Sequence, residues 1–310
     1  MGYHYSVMLG ETIELLSPKN DGIYVDLTLG RGGTSEAILQ RIPNGHLYSF
    51  DLDDEALEES RSRLEQSGNN FTLVKSNFAY FADRLREMGV TKVDGITADL
   101  GVSSPQFDEA NRGFSYREDA PLDMRMDQNN PLNATIIVNA YPFERLLKVF
   151  KEYGEDPFSY QIAKEIVRQR EKKTIETTGE LVDLIKRCKP AKELAKKGHP
   201  AKQIFQALRV EVNDELGNLR KMLDSFDGLL ASGGRIAIIT FQSLEDRLVK
   251  EKFKSLTVVE GSREDVMLLP NQIQEAPYRP LTKKPLVASA EELAENHRSK
   301  PAKLRAIEKK

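Results

Sequence analysis

The sequence predicts an α/β fold, a doubly wound parallel sheet interrupted by an inserted helical subdomain, and three observations predict it. Residues 23–34, IYVDLTLGRGGT, run from a β-branched strand through Gly30, Gly32 and Gly33 into the helical spacing of residues 35–41. Short apolar runs and helical patterns then alternate as far as Phe107, and they resume in the strand 235–241. Between these regions helical periodicity continues with no strand signal.

The glycine stretch is the first strand-to-helix junction. Glycines there permit positive φ and let a ligand approach bare backbone amides at a helix N-terminus. The same pattern serves a tight turn that binds nothing. Residues 47–51, LYSFD, make the second strand, ending in Asp51. A carboxylate at that point can take both hydroxyls of a ribose, or it can cap the helix beginning near Asp53. Residues 71–75 form the third strand, and Phe78, Phe81, Leu85 and Met88 follow one helical face. Most of that face is expected in the core, although Phe78 also stands where an adenine ring could lie. Residues 93–99 form the fourth strand, ending at Asp99, and the turn Ser103-Ser104-Pro105-Gln106 comes next. Its hydroxyl and amide groups, on a backbone restricted by Pro105, would face the crevice of the sheet.

Residues 108–133 are polar and proline-containing and read as a long, lid-like loop carrying Arg112, Arg117 and Arg125. Helical patterns fill 143–188, and the run 186–202 carries seven Lys or Arg against the single Glu193. Such a run is either a solvated face or a phosphate-neutralising surface. Residues 203–231 predict one long amphipathic helix, ended by Gly233 and Gly234 before the fifth strand. In QSLEDR (242–247), Ser243 and Asp246 have the spacing of a helix cap, and strands are expected at 284–288 and 303–308. The expected division is therefore one discontinuous domain, 1–107 with 204–310, and an insertion at 108–203.

Bulk properties narrow the function. The chain has 310 residues and net charge −3, so nucleic-acid binding has to be argued from local patches. One cysteine, Cys188, forms no intramolecular disulfide and lies on an apolar helix face, which suits a reducing, cytoplasmic setting. The four histidines are scattered without metal-ligand spacing. No apolar run has membrane-spanning length, and MGYHYSVML lacks the pattern of a signal peptide.

Beyond this, HYSVML (4–9), GIYVDLTLGRGG (22–33), DLGVSSPQFDEANRGFSY (99–116), PLDMRM (121–126), KEYGE (151–155), HPAKQIFQALRVEVNDEL (199–216) and FQSLEDR (241–247) resemble the bacterial MraW-type methyltransferases. These modify a cytidine of small-subunit ribosomal RNA. The resemblance implies a class I (Rossmann-like) methyltransferase sheet with an inserted helical domain that recognises RNA. It implies S-adenosyl-L-methionine as donor and the exocyclic N4 amine of a cytidine in the decoding region of 16S RNA as acceptor. Carried over, Gly32, Gly33 and Thr34 would line the methionine part of the donor, Asp51 the ribose and Phe78 the adenine side. Asp99, Ser104 and Gln106 would stand at the reacting end, with Asp99 and Gln106 also touching the donor. Thr34 and Gln242 replace the histidines that the family often has. The implied partner is small-subunit RNA, with no membrane, and the oligomeric state stays open, a homodimer included. A nicotinamide-dependent oxidoreductase would also use a glycine turn and a following acid, but no G-x-G-x-x-G spacing exists here. A catalytically dead RNA-binding protein is the remaining rival.

Overall fold

The structure, a computed structural model, describes residues 6–259 and 275–310, so His4 and Tyr5 lie outside the described residues. The chain divides into two compact units, Met1–Gly101 with Gly217–Lys310, and Val102–Leu216.

The first unit opens with α1 (Leu9–Leu16), then β1 (Ile23–Asp26), α2 (Gly33–Leu39), β2 (His46–Asp51), α3 (Asp54–Glu65), β3 (Phe71–Lys75), α4 (Phe81–Glu87) and β4 (Val93–Asp99). Asp53, not Asp51, caps α3, its side chain accepting the Glu55 N–H. The helix expected from Phe78 starts as a single 3₁₀ turn, Phe78–Tyr80, capped by Asn77.

The second unit holds α5 (Ser104–Asp108), α6 (Ala134–Ala140), α7 (Phe143–Val149), α8 (Ser159–Arg170), α9 (Thr178–Arg187), α10 (Ala191–Leu194) and α11 (Lys202–Asn213). Ile204, Phe205, Ala207, Leu208 and Val212 bury α11 in the same core as Ile137, Leu146, Ile162 and Leu184. The boundary expected at 203/204 therefore falls at 216/217, because the apolar face of α11 belongs to the helical core. The loop 108–133 is anchored rather than lid-like. Phe114, Leu122 and Met124 are buried in that core, and the Leu122 N–H donates to the Glu176 carbonyl and the Thr178 N–H to the Ala120 carbonyl.

The chain returns through α12 (Glu215–Leu229) to β5 (Leu230–Thr240), α13 (Ser243–Thr257), β6 (Tyr278–Pro280), α14 (Ala290–Glu295) and β7 (Lys303–Lys309). The single helix expected over 203–231 is two, broken at Asp214, whose φ of 46° is left-handed. Gly233, at φ +73°, lies inside β5, where the register with β4 shifts between Val93 and Gly95. It makes a strand irregularity, not a helix stop. The strand expected at 284–288 is reduced to a bridge between Leu286 and Leu304, and the outer strand is Tyr278–Pro280, an edge where a proline is tolerated.

The seven strands run in the order β3-β2-β1-β4-β5-β7-β6. Strands β1 to β5 are parallel, and β7 is antiparallel to both β5 and β6. This is the class I, Rossmann-like methyltransferase sheet. Successive residues of β1 feed opposite faces: Tyr24 packs with Leu16, Ile38 and Leu47, while Val25 packs with Phe50, Ile96 and Phe226. The strand order reverses between β1 and β4, and ligands of open α/β sheets lie at the carboxyl ends of such strands.

Candidate active site at the carboxyl edge of the sheet

The turn after β1 is laced to both neighbouring strands. Leu27 N–H donates to Thr97 O on β4 and Leu29 N–H to Phe50 O on β2, each at 2.9 Å. Gly30, at φ +50°, then donates its N–H to Asp51 Oδ2 at 2.9 Å. Gly32, at φ +76°, precedes α2, and a Cβ on Gly33 would collide with Ser6 Oγ. Thr34 is the half-buried second residue of α2.

Asp51 braces this turn. Its Oδ1 accepts the Asp53 N–H at 3.0 Å, so each carboxylate oxygen holds one backbone donor and keeps acceptor capacity for another. Burial raises its pKa, partly offset by those N–H groups. Phe78 is half-buried and packs against the core beneath the third strand's end.

Asp26 is 1 % exposed, with Oδ2 accepting from Ser35 Oγ at 2.7 Å and Oδ1 from Thr28 N–H at 3.1 Å. Burial pushes its pKa up to about 7, against the pull of those two hydrogen bonds. Asp99, the last residue of β4, carries the sharper anomaly. Its Oδ1 is buried and has no hydrogen-bond partner among the described residues. Burial first, then the negative fields of Asp26, Glu245 and Glu292, lift its pKa to about 8. A buried acceptor left unpaired is costly, and the cost is relieved by a cation or an N–H donor at that oxygen.

The carboxylates around Asp99 are held from several elements. Glu245 is 2 % exposed and accepts the Phe241 N–H at 2.9 Å and Gln242 Nε2 at 2.8 Å. The cap of α13 is thus Gln242 with Glu245, one position earlier than Ser243 with Asp246. Asp246 instead pairs with Arg305 at 2.7 Å and Lys303 at 3.2 Å. Glu292, on α14, accepts the Met8 N–H at 2.8 Å. Sequence reasoning missed Glu292, which no local pattern ties to β4, and Thr28, which stood in plain view inside the glycine stretch.

Ser104 and Gln106 belong to the helical unit. The expected turn is the short helix α5, opened by Ser104, and Gln106 is 7 % exposed with Oε1 accepting the Ser103 N–H at 3.1 Å. That bond is the return half of a capping box.

The helical unit uses much of its charge internally. Arg125 is bound to both oxygens of Asp123 and to the carbonyls of Gln128 and Asn130, and Arg112 donates to the carbonyls of Arg125 and Met126. Only Arg117 of the three loop arginines is exposed. Within 186–202, Lys189 is buried against Asp156 at 2.5 Å, with side-chain exposures of 6 % and 0 %. Lys186, Arg187, Lys192, Lys196, Lys197 and Lys202 remain exposed. Cys188 packs against the core, and burial pushes its thiol up to about 11, which disfavours the nucleophilic thiolate near neutral pH.

Several of the quoted segments meet in this scaffold. Tyr116 stacks on His199 with ring centroids 4.2 Å apart and meets Phe205 edge-on. Gly154 passes α11 so closely that a Cβ would sit 2.9 Å from Gln203 O. Asn213 receives the Met126 N–H and donates to Met124 O, each at 2.8 Å.

Among the described residues no group of three or more His, Cys, Asp or Glu could hold a metal ion, and no helix is long and apolar enough to cross a membrane. A crystal structure of an rRNA methylase from Streptococcus thermophilus is 14 % identical and covers 97 % of this chain and 93 % of its own, with a TM-score of 0.38. A candidate methyltransferase from Streptococcus mutans in complex with SAH is 13 % identical, with coverage of 99 % and 100 % and a TM-score of 0.41. Likeness at that level adds nothing to the topology above. Sequence similarity goes further: the ribosomal RNA small subunit methyltransferase H of Streptococcus mutans serotype c is 50 % identical over 310 residues, 99 % of this chain and 98 % of that protein. The profile of the MraW methylase family matches residues 1–310, and the chain belongs to that family.

Proposed function

We propose that the protein transfers a methyl group from S-adenosyl-L-methionine to the exocyclic N4 amine of a cytidine in the decoding region of 16S ribosomal RNA. Methylation of small-subunit RNA is supported by family membership and by the 50 % identical relative. The choice of N4 and of the decoding region rests on the resemblance carried by DLGVSSPQF and its neighbouring segments. The observation that carries the chemistry is Asp99 Oδ1, buried and without a partner among the described residues, at the end of β4 beside a glycine turn braced by Asp51.

The donor supplies a methyl already activated by its positive sulfur, so the protein's task is placement. Asp51 offers its remaining acceptor capacity to the ribose hydroxyls. Gly32, Gly33 and Thr34 present backbone to the methionine part, and Phe78 flanks the adenine. Asp99 accepts a hydrogen of the cytidine amine, drawing it from the ring plane and freeing the nitrogen lone pair, and the proton leaves to solvent late. The roles of Ser104 and Gln106 rest on the family resemblance alone, since Gln106 Oε1 already holds the Ser103 N–H. The exposed lysines of 186–202 and Arg117 would meet the RNA backbone, with the target base splayed out of its stack.

Labelled donor offered to small ribosomal subunits, naked RNA and DNA, followed by mapping of the modified nucleotide, tests this. Label on a cytidine N4 of the small subunit is expected; label on another base, or only on DNA, rejects the reading. Asp99→Ala should lower turnover at saturating donor by orders of magnitude, and an unchanged rate removes Asp99 from the chemistry.

A further inference from the structure

The parallel ladder between β1 and β4 has the register Tyr24↔Gly95, Val25↔Ile96 and Asp26↔Thr97. Its next regular bond is made, from Leu27 N–H to Thr97 O at 2.9 Å. The evenly spaced bonds of such a ladder would then carry the Asp99 N–H to the Leu27 carbonyl. There the strands part, and the Asp99 N–H goes instead to the Thr28 hydroxyl, at 2.6 Å. A side chain of the glycine turn thus takes over the ladder at the residue whose Oδ1 is buried and without a partner among the described residues.

Thr28 is itself fixed from behind. Its N–H donates to Asp26 Oδ1 at 3.1 Å, and Asp26 Oδ2 is held by Ser35 Oγ at 2.7 Å, which lies 2.8 Å from Ser49 Oγ on β2. Two residues on, Gly30 N–H reaches Asp51. One turn therefore carries a short chain of bonds from the acid at the end of β2 to the acid at the end of β4. A β-branched residue suits the post, since its χ1 has few alternatives and the hydroxyl direction is set by the backbone.

We propose that Thr28 is a positioning residue for methyl transfer: its hydroxyl fixes the backbone of Asp99, and so the direction of the Asp99 carboxylate, relative to the glycine turn that receives the donor. This rests on the methyl-transfer reading above. It separates two tasks, because the uncharged thioether is gripped by Asp51 and the turn backbone, neither of which needs the Thr28 hydroxyl. Loss of that hydroxyl misdirects the carboxylate and leaves the grip intact.

The test compares Thr28→Val, nearly isosteric but without the acceptor, with Thr28→Ser, which keeps it. Turnover on small-subunit RNA and calorimetric affinity for S-adenosylhomocysteine are measured for both, beside wild type and Asp99→Asn. Thr28→Val should lower kcat roughly ten- to a hundredfold with affinity for the thioether within about twofold of wild type, and Thr28→Ser should recover most of the rate. The double variant Thr28→Val/Asp99→Asn should be no slower than Asp99→Asn alone, since residues acting as one unit do not multiply their losses. The proposal is overturned if Thr28→Val keeps wild-type turnover, if its affinity falls as far as its rate, or if the losses multiply. Should Thr28→Val fail to fold, Thr28→Ala removes the same acceptor at smaller volume and is read identically. A wild-type protein that neither binds S-adenosylhomocysteine nor methylates RNA rejects the methyl-transfer reading and Thr28's role with it. A functional wild type and a slow Asp99→Asn beside a silent Thr28→Val reject Thr28's role alone.

Discussion

Asp26 and Asp99 hold protons near neutrality because the sheet edge withholds water from them, and pKa values of about 7 and about 8 have consequences in solution. The unfolded chain sheds those protons near pH 4, so between about pH 4 and pH 8 the folded state binds more protons than the unfolded state. Each group therefore contributes stability that is fully present below about pH 4 and fades as pH rises through its folded value. Urea midpoints of wild type and Asp99→Asn, compared between about pH 5 and about pH 9, should show a shallower alkaline decline in the variant. Binding has the opposite sense: ionised Asp99 attracts a sulfonium, so affinity for S-adenosylmethionine should rise as pH climbs through about 8, while that for the uncharged thioether product stays flat. Parallel calorimetry of the two ligands decides it, and equal pH dependence would show that Asp99 does not sense the sulfur. At this scale Asp51 and Asp99 were legible in the sequence because each ends an apolar strand. Glu292 was not, since its field reaches Asp99 only through folding of a tail that carries no pattern linking it to β4.

Among the elements, the segment 186–202 divides its labour. Lys189 is structural, bonded to Asp156 and to the Pro200 carbonyl, whereas its neighbours face solvent. Lys189→Met should cost about 3 to 5 kcal/mol in urea unfolding by stranding a buried carboxylate, and adding Asp156→Leu should recover much of it. Neutralising Lys196, Lys197 and Lys202 should leave stability and donor affinity alone, weaken RNA binding and flatten its salt dependence. Filter binding across a salt series reads the difference, and an unchanged slope would move the RNA contact elsewhere. A charge run looks the same in sequence whether one of its lysines is buried or not. What escaped the sequence in α11, α12 and β5 was similar: one amphipathic pattern covered two helices serving two different cores, and Asp214's left-handed backbone left no trace in the periodicity.

At the level of the whole molecule, two units with separate apolar cores share one chain. S-adenosylhomocysteine should slow hydrogen exchange at 26–34, 49–53 and 97–100 and leave the helices at 143–187 unchanged; protection there instead would place the donor in the wrong unit. The alternation of strand and helix revealed the sheet and its interruption, because periods of 2 and 3.6 residues are local properties. The exit and re-entry points are set by which core each helix face joins, which a single sequence does not state. The insertion also governs the order in which the molecule is made. At ordinary elongation rates the ribosome spends roughly ten seconds on Val102–Leu216, after β4 has been made and before β5 is. Until then β5, whose Ile239 stands opposite Asp99 in the finished sheet, is not there to pair with it. Glu245 and Glu292 arrive later still, so the acidic surroundings of Asp99 are completed among the last steps of biogenesis.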